Sequence, residues 1–253
     1  GAEIIYGLPA DLAEFLVSTS VLDSLDATVC DHLLGTAGAA LLLKGLENLN
    51  VPVLKIDAGS GQYRLHPVFR DYLRSKLLER SPDRYREAHQ KAAAWLLTQG
   101  RPAEAMSHLA SAVDWDGFSD LFVRQAPVIY RQGRWHTLMA WLRQMPSAEV
   151  LNRPDLRLWE IKILVRLSQT DEALGAINDA LRSPETLSMA TRAQLETLRA
   201  TALRLKGEVA AAKEAATSAA ELALQANLPV ENVIEARREL GIALGASGEF
   251  EEA

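Results

Sequence analysis

Gly100-Arg-Pro-Ala-Glu-Ala, Gly133-Arg-Trp-His-Thr-Leu, Ser168-Gln-Thr-Asp-Glu-Ala, Gly207-Glu-Val-Ala-Ala-Ala and Gly248-Glu-Phe-Glu-Glu-Ala recur along the chain at spacings of 33, 35, 39 and 41 residues. Four of the five segments share one grammar, and Gly133-Arg-Trp-His-Thr-Leu keeps only its glycine. A glycine, or once a serine, ends one helix in a left-handed turn, and a carboxylate in the following turn suits the positive end of the next helix. Small alanines then let the pair pack closely. One such segment carries little weight, but five in register at a near-regular period predict a tetratricopeptide-like array of helical hairpins. From Pro82 onward the sequence reads as helices and little else, with long helices expected over 187–205 and 208–226. The last segment begins a helix that the sequence does not complete. With the opening Gly1-Ala2 and the closing Glu251-Glu252-Ala253, this reads as a piece of a longer protein.

Upstream of the array the pattern changes. Pro9 suits the first turn of a helix expected over 8–22, with Leu12, Phe15, Leu16 and Leu22 as its apolar stripe. Asp26 is placed to cap a second helix running to Leu34, and Gly35-Thr-Ala-Gly38 breaks the chain before a third over 39–50. Strands are expected over 51–56 and 62–65, joined by the loop Asp57-Ala-Gly-Ser-Gly61, and a fourth helix starts at His66-Pro67 and runs to about Glu79. Three helices, a β-hairpin and a further helix make a winged-helix-like order. The expected fold is therefore mostly α, with a winged-helix-like module at 1–82 and a TPR-like superhelix at 83–253.

Composition narrows the function. A net charge of −6 argues against a broad nucleic-acid footprint, which needs clustered Lys and Arg. The winged-helix-like module is itself acidic, with seven Lys and Arg against ten Asp and Glu in residues 1–82. Its third helix carries one lysine against one glutamate, too few donors to read base edges. The single cysteine, Cys30, allows no internal disulfide, suits a reducing cytoplasm, and reads as a buried inert thiol. No apolar run approaches the ~18 residues of a membrane span.

Catalytic and metal motifs are missing from the sequence. There is no phosphate-cradling Gly-x-x-x-x-Gly-Lys-Ser/Thr loop, no His-Glu-x-x-His, no paired-cysteine spacing and no Gly-x-Ser-x-Gly elbow. The expectation is a binding protein rather than an enzyme, with no cofactor of its own. Two features point to binding. Trp159, Lys162 and Arg166 fall on one face of a first helix, and Arg199 and Arg237 are expected to add to the same groove from later hairpins. The aromatic residues Trp95, Trp115, Phe118, Phe122, Tyr130, Trp135, Trp141 and Trp159 crowd the early repeats, where packing between helix pairs is the plainer role and an aromatic ligand site the sharper one. His66 stands apart from the other four histidines because it closes a strand and opens a helix. The plain reading there is a helix-start residue whose ring bonds nearby backbone.

Three stretches carry a resemblance. Leu8-Pro-Ala-Asp-Leu-Ala-Glu-Phe-Leu-Val-Ser-Thr-Ser-Val-Leu-Asp resembles the leader of the winged-helix module in MalT-like large ATP-dependent LuxR-type transcriptional regulators. Tyr63-Arg-Leu-His-Pro-Val-Phe-Arg-Asp-Tyr-Leu-Arg is similar to that group's Tyr-Arg-x-His-x-Leu-Phe-Arg-Asp-x-Leu motif, with Pro67 as a departure. The run from His89 to His108 and Asp114-Trp-Asp resemble its first superhelical repeat, so the likeness spans about residues 8–170. The resemblance implies a signal-transduction ATPase in which a nucleotide-binding module precedes this piece and a helix-turn-helix or kinase output accompanies it. ATP or ADP would belong to that parent, with His66 reaching the nucleotide phosphate. The superhelix groove would take a small-molecule inducer or a regulatory protein and relay its state. The rival expectation is a TPR-type protein–protein scaffold with no nucleotide switch.

Overall fold

The computed structural model describes residues 5, 7–47, 49, 51–56, 61–182 and 187–247. It divides into two compact units, residues 1–125 and 126–253, and each is described by itself.

In the first unit, α1 (Ala10–Thr19), α2 (Ala27–Leu34) and α3 (Ala39–Glu47) precede β1 (Val53–Lys55) and β2 (Tyr63–Leu65), and α4 (Pro67–Arg80) follows. This is the predicted winged-helix order. Asp26 caps α2 as expected, its carboxylate accepting from the Val29 N–H at 2.9 Å. Gly35 ends α2 at φ +68°, and Asp31 accepts from the Ala39 N–H at 2.8 Å, tying the end of α2 to the start of α3. The strands pair antiparallel with Val53 opposite Leu65, and Leu25 adds a bridge to Tyr63. They are shorter than the expected 51–56 and 62–65, because the alternating burial that stabilises a strand face is confined to Tyr63 and Leu65. Residues 57–60 of the expected hairpin loop lie outside the described residues. The first and third helices also stop short of the expected 22 and 50.

The core of this unit joins Phe15, Leu16, Leu25, Leu43, Leu46, Leu65, Phe69 and Leu73, all 4% exposed or less. Burial of such side chains contributes roughly 1.5–3 kcal/mol each. Cys30 sits in the same core, its thiol pushed up to about 12 by burial and by Asp26 and Asp31, so it is an inert packing group. The core continues past the fourth helix. Ala92 belongs to it and Tyr85, Ala88 and Trp95 pack against it, all from α5 (Pro82–Thr98). Helix α6 (Pro102–Ser111) then pairs with α5.

Helix α7 (Trp115–Arg131) spans the division between the units. The second unit continues with α8 (Trp135–Leu142), the short α9 (Ser147–Leu151), α10 (Pro154–Arg166), α11 (Thr170–Leu181), α12 (Met189–Lys206), α13 (Val209–Gln225) and α14 (Val230–Ser247). The long helices fall within one to two residues of the expected bounds. Gly100, Gly133, Ser168 and Gly207 adopt φ of +67°, +73°, +56° and +86°, the left-handed stop read from the repeated segments. At each one the next residue's N–H reaches back five residues, as in Arg101 to Leu96, Arg134 to Ile129, Gln169 to Leu164 and Glu208 to Leu203. That closure satisfies otherwise orphaned helix-end carbonyls. Val113 and Asn227 close α6 and α13 in the same way without a glycine signal. The fifth segment, from Gly248, lies outside the described residues. Alanines at 212, 215, 216, 219, 220 and 223 bury one face of α13, which is why α12, α13 and α14 approach closely.

Candidate functional site

The first helices of successive hairpins in the second unit surround a cavity of about 240 Å³. Pro127, Tyr130 and Arg131 come from α7, Trp159 and Lys162 from α10, Gln194 and Thr197 from α12, and Asn232 and Glu235 from α14, with Leu198, Ala223 and Leu228 among its apolar walls. Spacing of three along α10 sets Trp159 and Lys162 one turn apart on the same face. The Lys162 ammonium lies 5.0 Å over the Trp159 ring, and Trp159 meets Tyr130 edge-to-face with centroids 5.5 Å apart. The Tyr130 hydroxyl accepts from Arg166 Nε at 2.8 Å, and the guanidinium also covers the Tyr130 ring. Trp135 Nε1 donates to the Tyr130 carbonyl at 3.1 Å, locking that end of α7.

Charge at the cavity is unbalanced. Among its lining residues stand the cations Lys162 and Arg131 and one carboxylate, Glu235. Burial lowers the Lys162 pKa, opposed by Glu235. Burial raises that of Tyr130, opposed by its bond from Arg166. That same bond raises the Arg166 pKa. Gln194 Oε1 is buried and has no hydrogen-bond partner among the described residues, although its helix neighbour Thr197 satisfies its own hydroxyl on the Ala193 carbonyl at 2.8 Å. Rings, an amide and a positive field together suit binding of a small polar or anionic molecule. Among the described residues no group of three or more His, Cys, Asp or Glu could hold a metal ion.

Of the groove residues expected from sequence, Trp159 and Lys162 line the cavity and Arg166 stands beside it on Tyr130. Arg199 and Arg237 do not line it. Arg199 turns to Glu196 on its own helix at 3.6 Å, and Arg237 is exposed on α14. The i,i+3 carboxylate captures Arg199 locally, and the groove face of α14 falls on Asn232 and Glu235 instead. Tyr130, Gln194 and Glu235 were not singled out as site residues by the sequence. The aromatic crowding pointed to Tyr130, but nothing local marks the other two. The early aromatic residues divide between roles, with Phe118, Phe122 and Trp141 buried as packing and Tyr130 and Trp159 at the cavity.

In the first unit, His66 is exposed at the N-cap of α4. Its N–H donates to the Pro52 carbonyl at 2.9 Å and its carbonyl accepts from the Arg70 N–H at 2.9 Å, while its side chain makes no capping bond. The plain reading, a ring bonded to nearby backbone at the helix start, therefore lacks its capping contact. Arg70, one turn on, pairs with Asp23 and anchors the start of α4. Val68 beside His66 is 73% exposed, and Leu41 on α3 is 78% exposed.

Residues 1–85 match the family described as MalT winged helix domain. The chain is 27% identical over 201 residues to the serine/threonine-protein kinase PknK of Mycobacterium tuberculosis, covering 77% of this chain and 18% of that protein. It is 24% identical over 233 residues to the HTH-type transcriptional regulator MalT of Yersinia enterocolitica, covering 89% and 25%. It is 25% identical over 186 residues to the HTH-type transcriptional regulator AlkS of Pseudomonas putida, covering 72% and 21%. The chain thus spans about a fifth to a quarter of the length of these relatives.

Proposed function

We propose, from a chain that is MalT-like in its winged-helix module and along most of its length, that it is the effector-sensing portion of an ATP-dependent transcriptional regulator. The cavity of the second unit binds the effector, and the winged-helix module passes the bound state to a nucleotide-binding module of the same parent. The chain does no catalysis itself in this reading. The observation that carries it is the cavity built from four successive first helices, where Lys162 lies over Trp159. A ligand touching all four would bias their packing, and a repeat array transmits such a change along its length.

Relay through the winged-helix module is supported by its surface. Leu41 occupies the helix that would read DNA in a nucleic-acid-binding winged helix, and its exposed apolar side chain suits a protein contact better than a phosphate. His66 and Val68 present a free imidazole and an apolar neighbour at one helix start, a surface suited to a facing nucleotide-binding module. A kinase output stands beside the helix-turn-helix output, because the relatives include both a protein kinase and DNA-binding regulators. The test is a reporter or kinase assay in the parent. Changing Lys162 and Arg166 to alanine should shift the effector response to higher concentration without changing protein level. An unshifted response would remove the cavity from effector sensing. The rival, a scaffold with no nucleotide switch, predicts a parent with no phosphate loop and no ATP dependence.

A further inference from the structure

The cavity carries more information than its role as an effector site. Lys162 is half-buried with its ammonium over the Trp159 ring, and Glu235 acts on it through its charge without forming an ion pair with it. Arg131, exposed like Glu235, lines the same space, and the exposed Arg166 guanidinium is held at its edge by the Tyr130 hydroxyl. Against these cations the lining offers only Glu235, exposed on α14. A cation withdrawn from water without a partner is costly, and an anion brought by a ligand removes that cost. Gln194 also lines the cavity, and its Oε1 is buried without a donor among the described residues. The Trp159 and Tyr130 rings and the side chains of Leu198 and Leu228 also line the cavity. A volume of about 240 Å³ exceeds what one or two waters fill and suits one small organic molecule.

We infer that this cavity takes a small organic carboxylate with a flat apolar body, its carboxylate on Lys162 and a polar group against the Gln194 side-chain amide. A neutral polyol would bring no anion to the ammonium, and a long peptide exceeds a cavity of about 240 Å³. The inference rests on the reading of the cavity as the effector site, but its test separates the two.

The test measures calorimetric affinities of the 253-residue chain for two acid–amide pairs, 4-hydroxybenzoate with 4-hydroxybenzamide and indole-3-acetate with indole-3-acetamide. Each acid should bind at least tenfold more tightly than its amide, because a hydrogen bond to a charged partner is the stronger kind. Lys162→Met keeps the aliphatic stem over Trp159 and should erase that preference, whereas Lys162→Arg should retain it. Gln194→Leu should weaken acid and amide alike by several-fold. Melting temperatures of all variants report that they remain folded. The proposal is overturned if acid and amide bind equally, if Lys162→Met leaves the acid preference intact, if Gln194→Leu changes nothing, or if none of the four binds at millimolar concentration. Carboxylate binding at this site with no response in the parent would instead defeat the effector reading and leave the site standing. A parent that responds through Lys162 to a neutral molecule would do the reverse.

Discussion

The Nδ1 atoms of His89 on α5 and His108 on α6 lie 2.9 Å apart, with the two rings 4.9 Å centroid to centroid and the Tyr85 ring 4.5 Å from His89. One Nδ1 must carry a proton and the other accept it, so the contact requires at least one neutral imidazole. His89 is 1% exposed, and its Nε2 has no partner among the described residues. Burial is the first cause holding the pair neutral. It lowers His89 to about 3, helped by His108 and Arg74, and His108 to about 4, with Arg74 and Arg101 lowering and Asp23 and Glu104 raising.

Both folded pKa values lie below the ordinary histidine value of 6.5, so the unfolded chain binds these protons first. The stability that the neutral pair contributes is complete above about pH 6.5. It is lost as pH falls from there to about 4 for His108 and about 3 for His89, with a slope of up to ~1.4 kcal/mol per pH unit for each ring. Urea unfolding at pH 7 and pH 5 should show the loss. Replacing both rings with Phe and Leu should flatten that interval. A wild-type stability unchanged between the two pH values would remove the histidine pair as its source.

A second prediction concerns the helix stops. Ser168 adopts φ +56°, where a side chain costs roughly 1–2 kcal/mol, at the position that glycine fills in the neighbouring segments. Ser168→Gly should therefore stabilise the protein, by about 0.5–1 kcal/mol once the looser unfolded chain is counted. Gly207→Ala should destabilise by about 1 kcal/mol. A β-carbon at Gly207 would meet no atom within 4 Å, so that cost is purely backbone. Denaturation midpoints moving in the opposite directions would refute the argument.

The repeat stops were legible because they are local: a left-handed φ, a back-reaching N–H and a small residue all lie within six positions. The winged-helix order was legible for a similar reason, since Asp26, Gly35 and Pro67 punctuate it residue by residue. The cavity was legible only on the α10 face, where Trp159 and Lys162 follow helical spacing. Gln194 and Glu235 join it through the rotation of α12 and α14 about their axes, which is set by tertiary packing of alanines and not by any local pattern. Arg199 shows the converse, a charge expected in the groove that a carboxylate three residues away holds on its own helix.

The acidic winged-helix module sets a third expectation. Its third helix presents Lys44 beside the exposed Leu41 and lacks the donors that base edges need. The 253-residue chain should show no specific duplex binding at physiological salt in anisotropy titrations. Sequence-specific binding that survives added salt would assign the module a DNA-reading role instead.

The last expectation concerns His66. Its backbone is fixed on both sides, by the Pro52 carbonyl and by the first turn of α4, while its ring is exposed and makes no capping bond. Packing of Phe69 and Leu73 into the core, with Arg70 held by Asp23, keeps that helix start rigid. An exposed imidazole fixed at this helix start could donate to an anionic group on a facing module, and the MalT-like resemblance implies that a nucleotide phosphate would be that group in the parent. Such a charge-assisted bond contributes about 1.5–3 kcal/mol, enough to move a resting-to-active ratio by tenfold or more. His66→Ala in the parent should then raise activity without effector and speed ADP release. The isolated chain should melt within about 0.5 kcal/mol of wild type, because the ring is exposed and makes no capping bond. If the parent variant keeps full effector dependence and unchanged ADP retention, His66 holds no nucleotide. If instead the isolated chain loses several kcal/mol, the ring belongs to the fold and not to the switch.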